Sequence, residues 1–256
     1  MQFKKIVMLA GDGDTTAMVY NYFHEPFEIA CVIIEQPVAR KEFLKKRIKR
    51  LGWTKVAGQV LFQVLLAKPM KRASGSRIQE ILQQYGLSTV PVPVPKTIWV
   101  SSVNSPACLE ALQRLQPDLV IVHGTRIISK KILEGINATF INIHAGITPR
   151  YRGSHGAYWA LANNDRENCG VTVHLVDPGI DTGNILAQGT IPLTPKDNFA
   201  TYPYLQLGEG LRLLKDILIR MQSGEKPGTS NPLNSALWHH PTLWGYLYHR
   251  LLKKIK

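Results

Sequence analysis

The sequence runs to 256 residues, 45% hydrophobic and 19% charged, which suits one large domain, or a domain with an appendage, around a well-buried core and argues against global disorder. Three widely spaced cysteines, Cys31, Cys108 and Cys169, form no CxxC pair and speak against both a secreted disulfide framework and a zinc site. The net charge of +13 is concentrated, with seven basic residues inside 40–50 and Arg250, Lys253, Lys254 and Lys256 at the C-terminus; a solvated helix face would account for it, as would attraction to a phosphorylated substrate, an anionic membrane surface or RNA.

The chain opens Met1-Gln2-Phe3-Lys4-Lys5-Ile6 and passes into an apolar run that stops at Gly11, too short for a signal-peptide core. Residues 5–10 (KIVMLA) are expected as a buried strand emptying into Gly11-Asp12-Gly13-Asp14, with Asp14 or Thr15 capping a helix that runs to about Tyr22. Residues 27–34 (FEIACVII) give a second buried strand. Strand, helix and strand with unbroken apolar strands predict an α/β fold on a doubly wound, mostly parallel sheet. Residues 38–84 then show only helical periodicity: Leu44, Ile48 and Leu51 share a face, as do Val56, Val60 and Val64 with Ala57, Leu61 and Leu65. This stretch is expected as a helical insertion between the second and third strands. Its most apolar window, 56–67, is interrupted by Gln59 and Gln63 and is shorter than the roughly 20 residues that span a bilayer, so a cytoplasmic protein is expected.

Pro91, Pro93 and Pro95 stiffen the return path. Short strands are expected at 98–100, 119–122 and 139–143, with a helix at 106–115. Residues 200–221 read as a helix burying Leu205, Leu211, Leu214, Ile217 and Leu218, and 223–234 as a polar linker with two prolines. Residues 241–256 form a final helix with Leu243, Leu247 and Leu251 at four-residue spacing. The division this predicts is a catalytic domain over 1–195, carrying the insertion at 38–84, and a short helical C-terminal extension over 196–256.

Two segments carry chemistry. In FINIHAGITPRYRG (140–153) a strand delivers Asn142 and His144 two residues apart, hence on one side of the sheet, before Gly146 and Pro149 force an irregular loop. Polar groups at the carboxyl end of such a strand lie where open α/β sheets bind ligands. A second strand, GVTVHLV (170–176), leads into Asp177-Pro178-Gly179-Ile180-Asp181-Thr182-Gly183 and delivers a carboxylate. An amide that holds a carbonyl oxygen, an imidazole that titrates near neutrality and a carboxylate that orients it together suit acyl transfer to an amine. His174, mid-strand among apolar residues, reads as structural, and Asp177 as a turn cap; His123 and His155 stay undecided.

These segments resemble the folate-dependent formyltransferase family, which includes glycinamide ribonucleotide, methionyl-tRNA and sugar N-formyltransferases. The resemblance spans about 3–190 and is specific over 142–183, where NIHAGITPRYRG is similar to the family's Asn-x-His loop with Tyr-Arg-Gly, and GVTVHLVDPGIDTGNIL to its second signature ending in Asp-x-Gly. It implies a Rossmann-like core and one-carbon transfer, with 10-formyltetrahydrofolate as donor. By position, Asn142 polarises the formyl oxygen and His144 stabilises the tetrahedral intermediate and assists proton transfer. Asp181 positions His144 and a water, and Thr172 supports the site. The folate pocket maps to backbone at Arg126, Ile127 and Ile128 and at 176–181, among them Val176, Asp177 and Asp181. Two features depart from the family: Ala145-Gly146 replaces a frequent Pro-Ser pair, and the acidic loop 11–14 would repel the phosphate of glycinamide ribonucleotide.

For the acceptor, the resemblance is greatest to the sugar N-formyltransferases, which implies a nucleotide-linked amino sugar. The basic insertion, or Arg150 and Arg152 with Tyr151 between them, would hold its diphosphate, although bracing of the loop would equally explain Arg152. About 30 residues beyond the linker leave no room for the β-barrel of the initiator-tRNA enzyme, which argues against a nucleic-acid partner. Hydroxyornithine and methionyl-tRNA are competing acceptors. A further alternative is a membrane-surface protein acting on a lipid-linked sugar through helix 40–50 and Trp238, Trp244, Tyr246 and Tyr248; against it, those aromatics would simply pack on the core or on a dimer partner. The insertion and the final helix are the candidate homodimer surfaces.

Overall fold

The two strands with unbroken apolar runs lie inside the sheet rather than at its ends. In the computed structural model, which describes residues 3–25 and 27–255, β1 (Ile6–Gly11) is flanked by β2 (Ile29–Glu35) and β4 (Leu119–His123). Met1, Gln2, Pro26 and Lys256 lie outside the described residues, Lys256 of the basic C-terminus among them. The full order is β3-β2-β1-β4-β5-β7-β8, with β3 (Thr97–Val100), β5 (Thr139–His144), β7 (Gly170–Leu175) and β8 (Ile185–Thr190) completing it. The five strands from β3 to β5 are parallel, and β7 and β8 run antiparallel to their neighbours. Val7 and Leu9 point into one core, Met8 and Ala10 into the other, because both faces are covered and alternation has no polar side to show.

The architecture is the doubly wound, mostly parallel α/β arrangement expected. Helix α1 (Asp14–His24) follows β1. Between β2 and β3 lie α2 (Arg40–Leu51), α3 (Trp53–Phe62), a π-helical turn at Gln63–Ala67, α4 (Lys68–Ala73) and α5 (Gly75–Tyr85). Helix α6 (Pro106–Leu115) precedes β4 and α7 (Lys130–Glu134) follows it. A two-residue strand β6 (Arg152–Gly153) leads to α8 (Gly156–Ala162), and α9 (Tyr202–Gln222), β9 (Leu237–Trp238) and α10 (Leu243–Leu252) close the chain. None of the helices among the described residues is long and apolar enough to cross a membrane.

Leu205, Leu211, Leu214, Ile217 and Leu218 are all fully buried, and α9 packs on β5, β7 and β8. One face of the sheet is thus covered by a helix from beyond residue 195, where the sequence placed the start of an appendage. The segment 40–85 is held by its C-terminal part. Arg77 makes a two-pronged ion pair to buried Asp197, at 2.9 and 3.1 Å, and Tyr85 fills the space over Gly208, where any Cβ would overlap its ring. Helix α2 by contrast buries no residue; the Leu44, Ile48, Leu51 stripe stays half-covered or exposed. On α10, whose one buried residue is Tyr246, Leu243 packs against the core while Leu247 and Leu251 at the same four-residue spacing stay exposed.

Three strands were not anticipated, among them the two-residue β6 in the loop after His144. β8 is an edge strand carrying Gln188 and Gly189, so its sequence lacks the apolar run of a central strand. β9 is two residues long and pairs parallel with β6, which no periodicity can announce.

Three histidines are stored neutral. His123 bonds Thr15 Oγ1 at 2.9 Å, and His155 Nε2 lies 2.8 Å from His240 Nδ1. Burial pulls His123 down to about 4; burial, His240 and Arg47 pull His155 to about 3; burial, Arg47 and His239 pull His240 to about 4. The unfolded chain takes up these protons first, near the ordinary 6.5, so stability is full above that pH and falls as pH drops toward 4. Each pH unit in that window costs at most about 1.4 kcal/mol per histidine. The melting temperature is therefore expected to be clearly lower at pH 5 than at pH 7; equal values would remove these histidines as the cause of acid lability.

Candidate active site

The antiparallel pairing of β5 with β7 sets Asn142 opposite His174 and His144 opposite Thr172. Asn142 Nδ2 lies 3.1 Å from His174 Nε2, and His174 Nδ1 lies 2.7 Å from the Leu175 carbonyl. A carbonyl only accepts, so the His174 proton sits on Nδ1; burial holds that ring below its ordinary pKa and keeps it neutral at pH 7. Its Nε2 then accepts from Asn142, which fixes which way the amide is turned and leaves one amide N–H uncommitted to His174. The sequence reading gave His174 a structural role; its ring in fact holds the amide.

His144 is buried and held at both nitrogens. Nε2 donates to the Tyr151 carbonyl at 2.7 Å and Nδ1 faces Asp181 Oδ2 at 3.3 Å, so the ring has an acceptor on each side. Asp181 Oδ2 also accepts the Gly153 N–H at 2.9 Å, while Oδ1 is 3.8 Å from His174 Nε2. Burial alone would raise the Asp181 pKa; the His144 hydrogen bond and charge, the Gly153 N–H and His174 outweigh it and hold the carboxyl below its usual range, so it is anionic at pH 7.

The replacement of Pro-Ser by Ala145-Gly146 has a steric reason here. A Cβ on Gly146 would stand 2.2 Å from the Tyr151 carbonyl oxygen and 2.9 Å from His144 Nε2, so a side chain there would collide with the contact that seats the imidazole. Thr172 locks the same loop: its hydroxyl accepts from Thr148 N and Gln188 Nε2 and donates to Gly146 O. Gly153, at φ +93°, lets Trp238 O come within 2.3 Å of where a Cβ would stand.

Asn142, His144 and Asp181 open on a cleft of about 410 Å³. Arg126, Ile127 and Ile128 line one wall, and Val176, Asp177, Gly179 and Ile180 another. The volume lies in the range of small-molecule sites. Every residue expected to bind the donor is therefore found on one cleft. Asp177 accepts from Gly179 N and the Thr182 hydroxyl, so its side chain caps its own loop. Loop 124–128 is seated by Glu35, which accepts from Arg126 N at 2.6 Å and Val103 N at 3.2 Å. The sequence reading missed Glu35, which carries no local motif, and missed Leu237, Trp238 and His239, which close the far side. The Trp238 indole donates to Arg150 O and stacks on Trp159 at 4.7 Å.

The expected contacts of Arg150, Tyr151 and Arg152 with a substrate are corrected. Tyr151 is fully buried with its hydroxyl 2.6 Å from Asp165, and Arg150 pairs with the same Asp165. Arg152 donates to the Ile180 carbonyl and so braces the Asp181 loop. None of the three lines the cleft. The cations that do adjoin it come from α2 and the loop after β4: Lys46, Arg47, Arg50 and Arg126 line a neighbouring pocket of about 740 Å³ that shares Arg50, Arg126, Ser154 and His239 with the cleft.

The sequence model of the formyl transferase family matches residues 72–204, a stretch that contains both motif-bearing strands. A methionyl-tRNA formyltransferase from Methylacidiphilum infernorum (isolate V4) is 35% identical over 158 residues, 58% of this chain and 48% of that protein; the chain spans about half the length of the curated relatives it matches. Among solved structures, a sugar N-formyltransferase from Shewanella sp FDAARGOS_354 superposes with TM-score 0.54 at 16% identity, covering 91% of this chain and 76% of the other. The phosphoribosylglycinamide formyltransferase of Streptococcus pneumoniae TIGR4 gives 0.52 at 20% identity, covering 85% and 98%. At these identities the structural likeness bears on the fold.

Proposed function

This chain belongs to the formyl transferase family, and from that premise we propose that it transfers a formyl group from 10-formyltetrahydrofolate to the amine of a small phosphorylated substrate, a nucleotide-linked amino sugar in the first instance. The observation that carries the reading is the convergence of Asn142, His144 and Asp181 on one cleft, with the carboxylate 3.3 Å from the imidazole. A cytoplasmic location is part of the same proposal.

Backbone at 126–128 and 176–180 would hold the donor, which supplies the formyl carbon bonded to a nitrogen leaving group. The amide N–H of Asn142 not given to His174 would hold the formyl oxygen as negative charge develops on it, the requirement of an oxyanion donor. His144, pinned between Tyr151 O and Asp181, would stabilise the tetrahedral intermediate and hold the carboxylate in place. The acceptor amine must lose a proton as it gains the formyl carbon, and the leaving nitrogen must gain one. Asp181 Oδ1, not engaged by His144 or Gly153, is the oxygen positioned to take that proton and pass it on.

His174 acts through Asn142. His174→Ala is expected to lower kcat about tenfold, the worth of one orienting hydrogen bond, with KM for the donor little changed. His174→Gln, which keeps an acceptor there, should recover part of the loss. Equal rates in wild type and His174→Ala would return the residue to a packing role.

Lys46, Arg47 and Arg50 support the phosphorylated acceptor, since a pocket with these cations adjoins the reacting groups and Glu42 is its one acid. An amine carried on tRNA is the second reading, favoured by the curated relatives and by the same charge; hydroxyornithine, with no phosphate, would leave these cations unused. A panel of nucleotide-linked amino sugars and aminoacylated tRNA, read by consumption of 10-formyltetrahydrofolate, tests the proposal. Turnover with an amino sugar is expected, turnover with tRNA alone would replace the acceptor, and no turnover with any amine would overturn the activity.

A further inference from the structure

Fifteen of the 31 basic residues, but only one of the 18 acidic ones, fall within 40–73 and 241–256. The rest of the chain, with 16 basic against 17 acidic residues, is close to neutral, so the net charge of +13 resides in these two segments. They are neighbours in space. Helix α3 contacts both α2 and α10, and Trp244 of α10 covers Gly58 of α3 so closely that a Cβ there would overlap its ring.

Large apolar side chains stand out on the same helices. On α3, Val56, Gln59 and Phe62 are buried, whereas Trp53 and Leu61 run along the opposite side and the π-helical turn continues the stripe with Leu65. Trp53 is 70% exposed, Leu65 55% and Leu251 of α10 75%. A helix that is apolar on both sides has a second partner besides its own core. The surface also connects to the reacting groups: the basic pocket beside the cleft shares Phe43, Arg47 and His240 with a groove of about 320 Å³ between α2 and α3, lined by Leu44, Val56 and Val60. A path thus runs from the cleft, past three cations, into an apolar groove.

We propose that the α2, α3 and α10 face docks on an anionic lipid bilayer, which sets the basic pocket beside the cleft and the α2–α3 groove at the headgroup level. Apolar side chains ringed by lysine and arginine match an anionic interface, where the former enter the headgroup boundary and the latter meet lipid charge. A second copy of the chain fits poorly, because two such faces would oppose like charge to like. Docking does not rest on the formyl-transfer reading and is measured without turnover.

The full chain is to be co-sedimented with vesicles of phosphatidylglycerol and phosphatidylcholine, and with vesicles of phosphatidylcholine alone. Strong retention is expected only on the mixed vesicles. Trp53→Ser, Leu65→Ser and Leu251→Ser combined should cut the bound fraction at least ~10-fold with an unchanged melting temperature. Lys41→Glu, Lys45→Glu and Lys49→Glu combined should abolish the preference for anionic lipid. Absence of retention on mixed vesicles, undiminished retention of the apolar triple variant, or a wild-type dimer that this variant converts to monomer would each overturn the proposal. Docking without formyl transfer to any amine would instead count against the activity alone.

Discussion

Asp181→Asn is expected to lower kcat by at least ~100-fold, about 2.7 kcal/mol of transition-state stabilisation. The substitution is nearly isosteric and keeps an oxygen for the Gly153 N–H, so the loop should stay in place. It removes the negative charge that faces His144 Nδ1, the carboxylate of the triad. His144 Nδ1 then faces an amide where it had a carboxylate, and the oxygen proposed to receive the proton of the attacking amine is no longer a base. The loss is therefore expected to fall on kcat. Steady-state kinetics with a melting curve on the same preparation checks this. A rate within a few-fold of wild type would remove Asp181 from the mechanism.

Asn142→Ala is expected to cost at least ~100-fold as well, the scale of losing one oxyanion donor in a preorganised site. Two effects combine. The N–H aimed at the formyl oxygen disappears, and His174 Nε2, buried and neutral, loses its donor. The second effect costs stability as well as rate, since a buried acceptor left unpaired is penalised by about 1–3 kcal/mol. Asn142→Asp separates the two, because it keeps the shape while presenting negative charge to a developing oxyanion; it should be at least as slow as alanine. A fast Asn142→Asp variant would contradict the role given to the amide. His144→Ala belongs to the same group, with a loss of at least ~100-fold in kcat expected from the missing imidazole.

How far these residues could be read from sequence depends on how local their geometry is. Asn142 and His144 are two apart on a strand, and period two alone sets them on one face; Asp181 lies on a glycine-bounded loop beyond the next strand. That Arg126, Ile127, Ile128, Val176 and Asp177 share one cleft with the triad was legible only through family resemblance, because no local pattern joins the two loops. Arg150, Tyr151 and Arg152 misled for the converse reason. They follow the motif in sequence, yet Tyr151 turns its side chain to Asp165 and serves the site through its carbonyl. Glu35 and His174 were missed because their partners lie 91 and 32 residues away, beyond any local pattern.

The helices show a different limit. Helical spacing at Leu44, Ile48 and Leu51, and at Leu243, Leu247 and Leu251, finds an apolar face correctly but does not say what covers it. On α9 the covering surface is the sheet; on α2 and α10 much of the apolar face is exposed. The charge on those helices has a similar reading in three dimensions, since α2 brings Lys46, Arg47 and Arg50 to the edge of the cleft although they stand some 90 residues before the motif.

The most direct test of the central claim is a structure of the protein with a 10-formyltetrahydrofolate analogue bound. The account predicts the pterin against the backbone of 126–128 and 176–180, with the formyl oxygen in hydrogen-bond reach of Asn142 Nδ2 and the bridging nitrogen reachable from Asp181 directly or through one water. An analogue seated elsewhere, such as the groove between α2 and α3, with all three side chains remote from its formyl carbon, would contradict it.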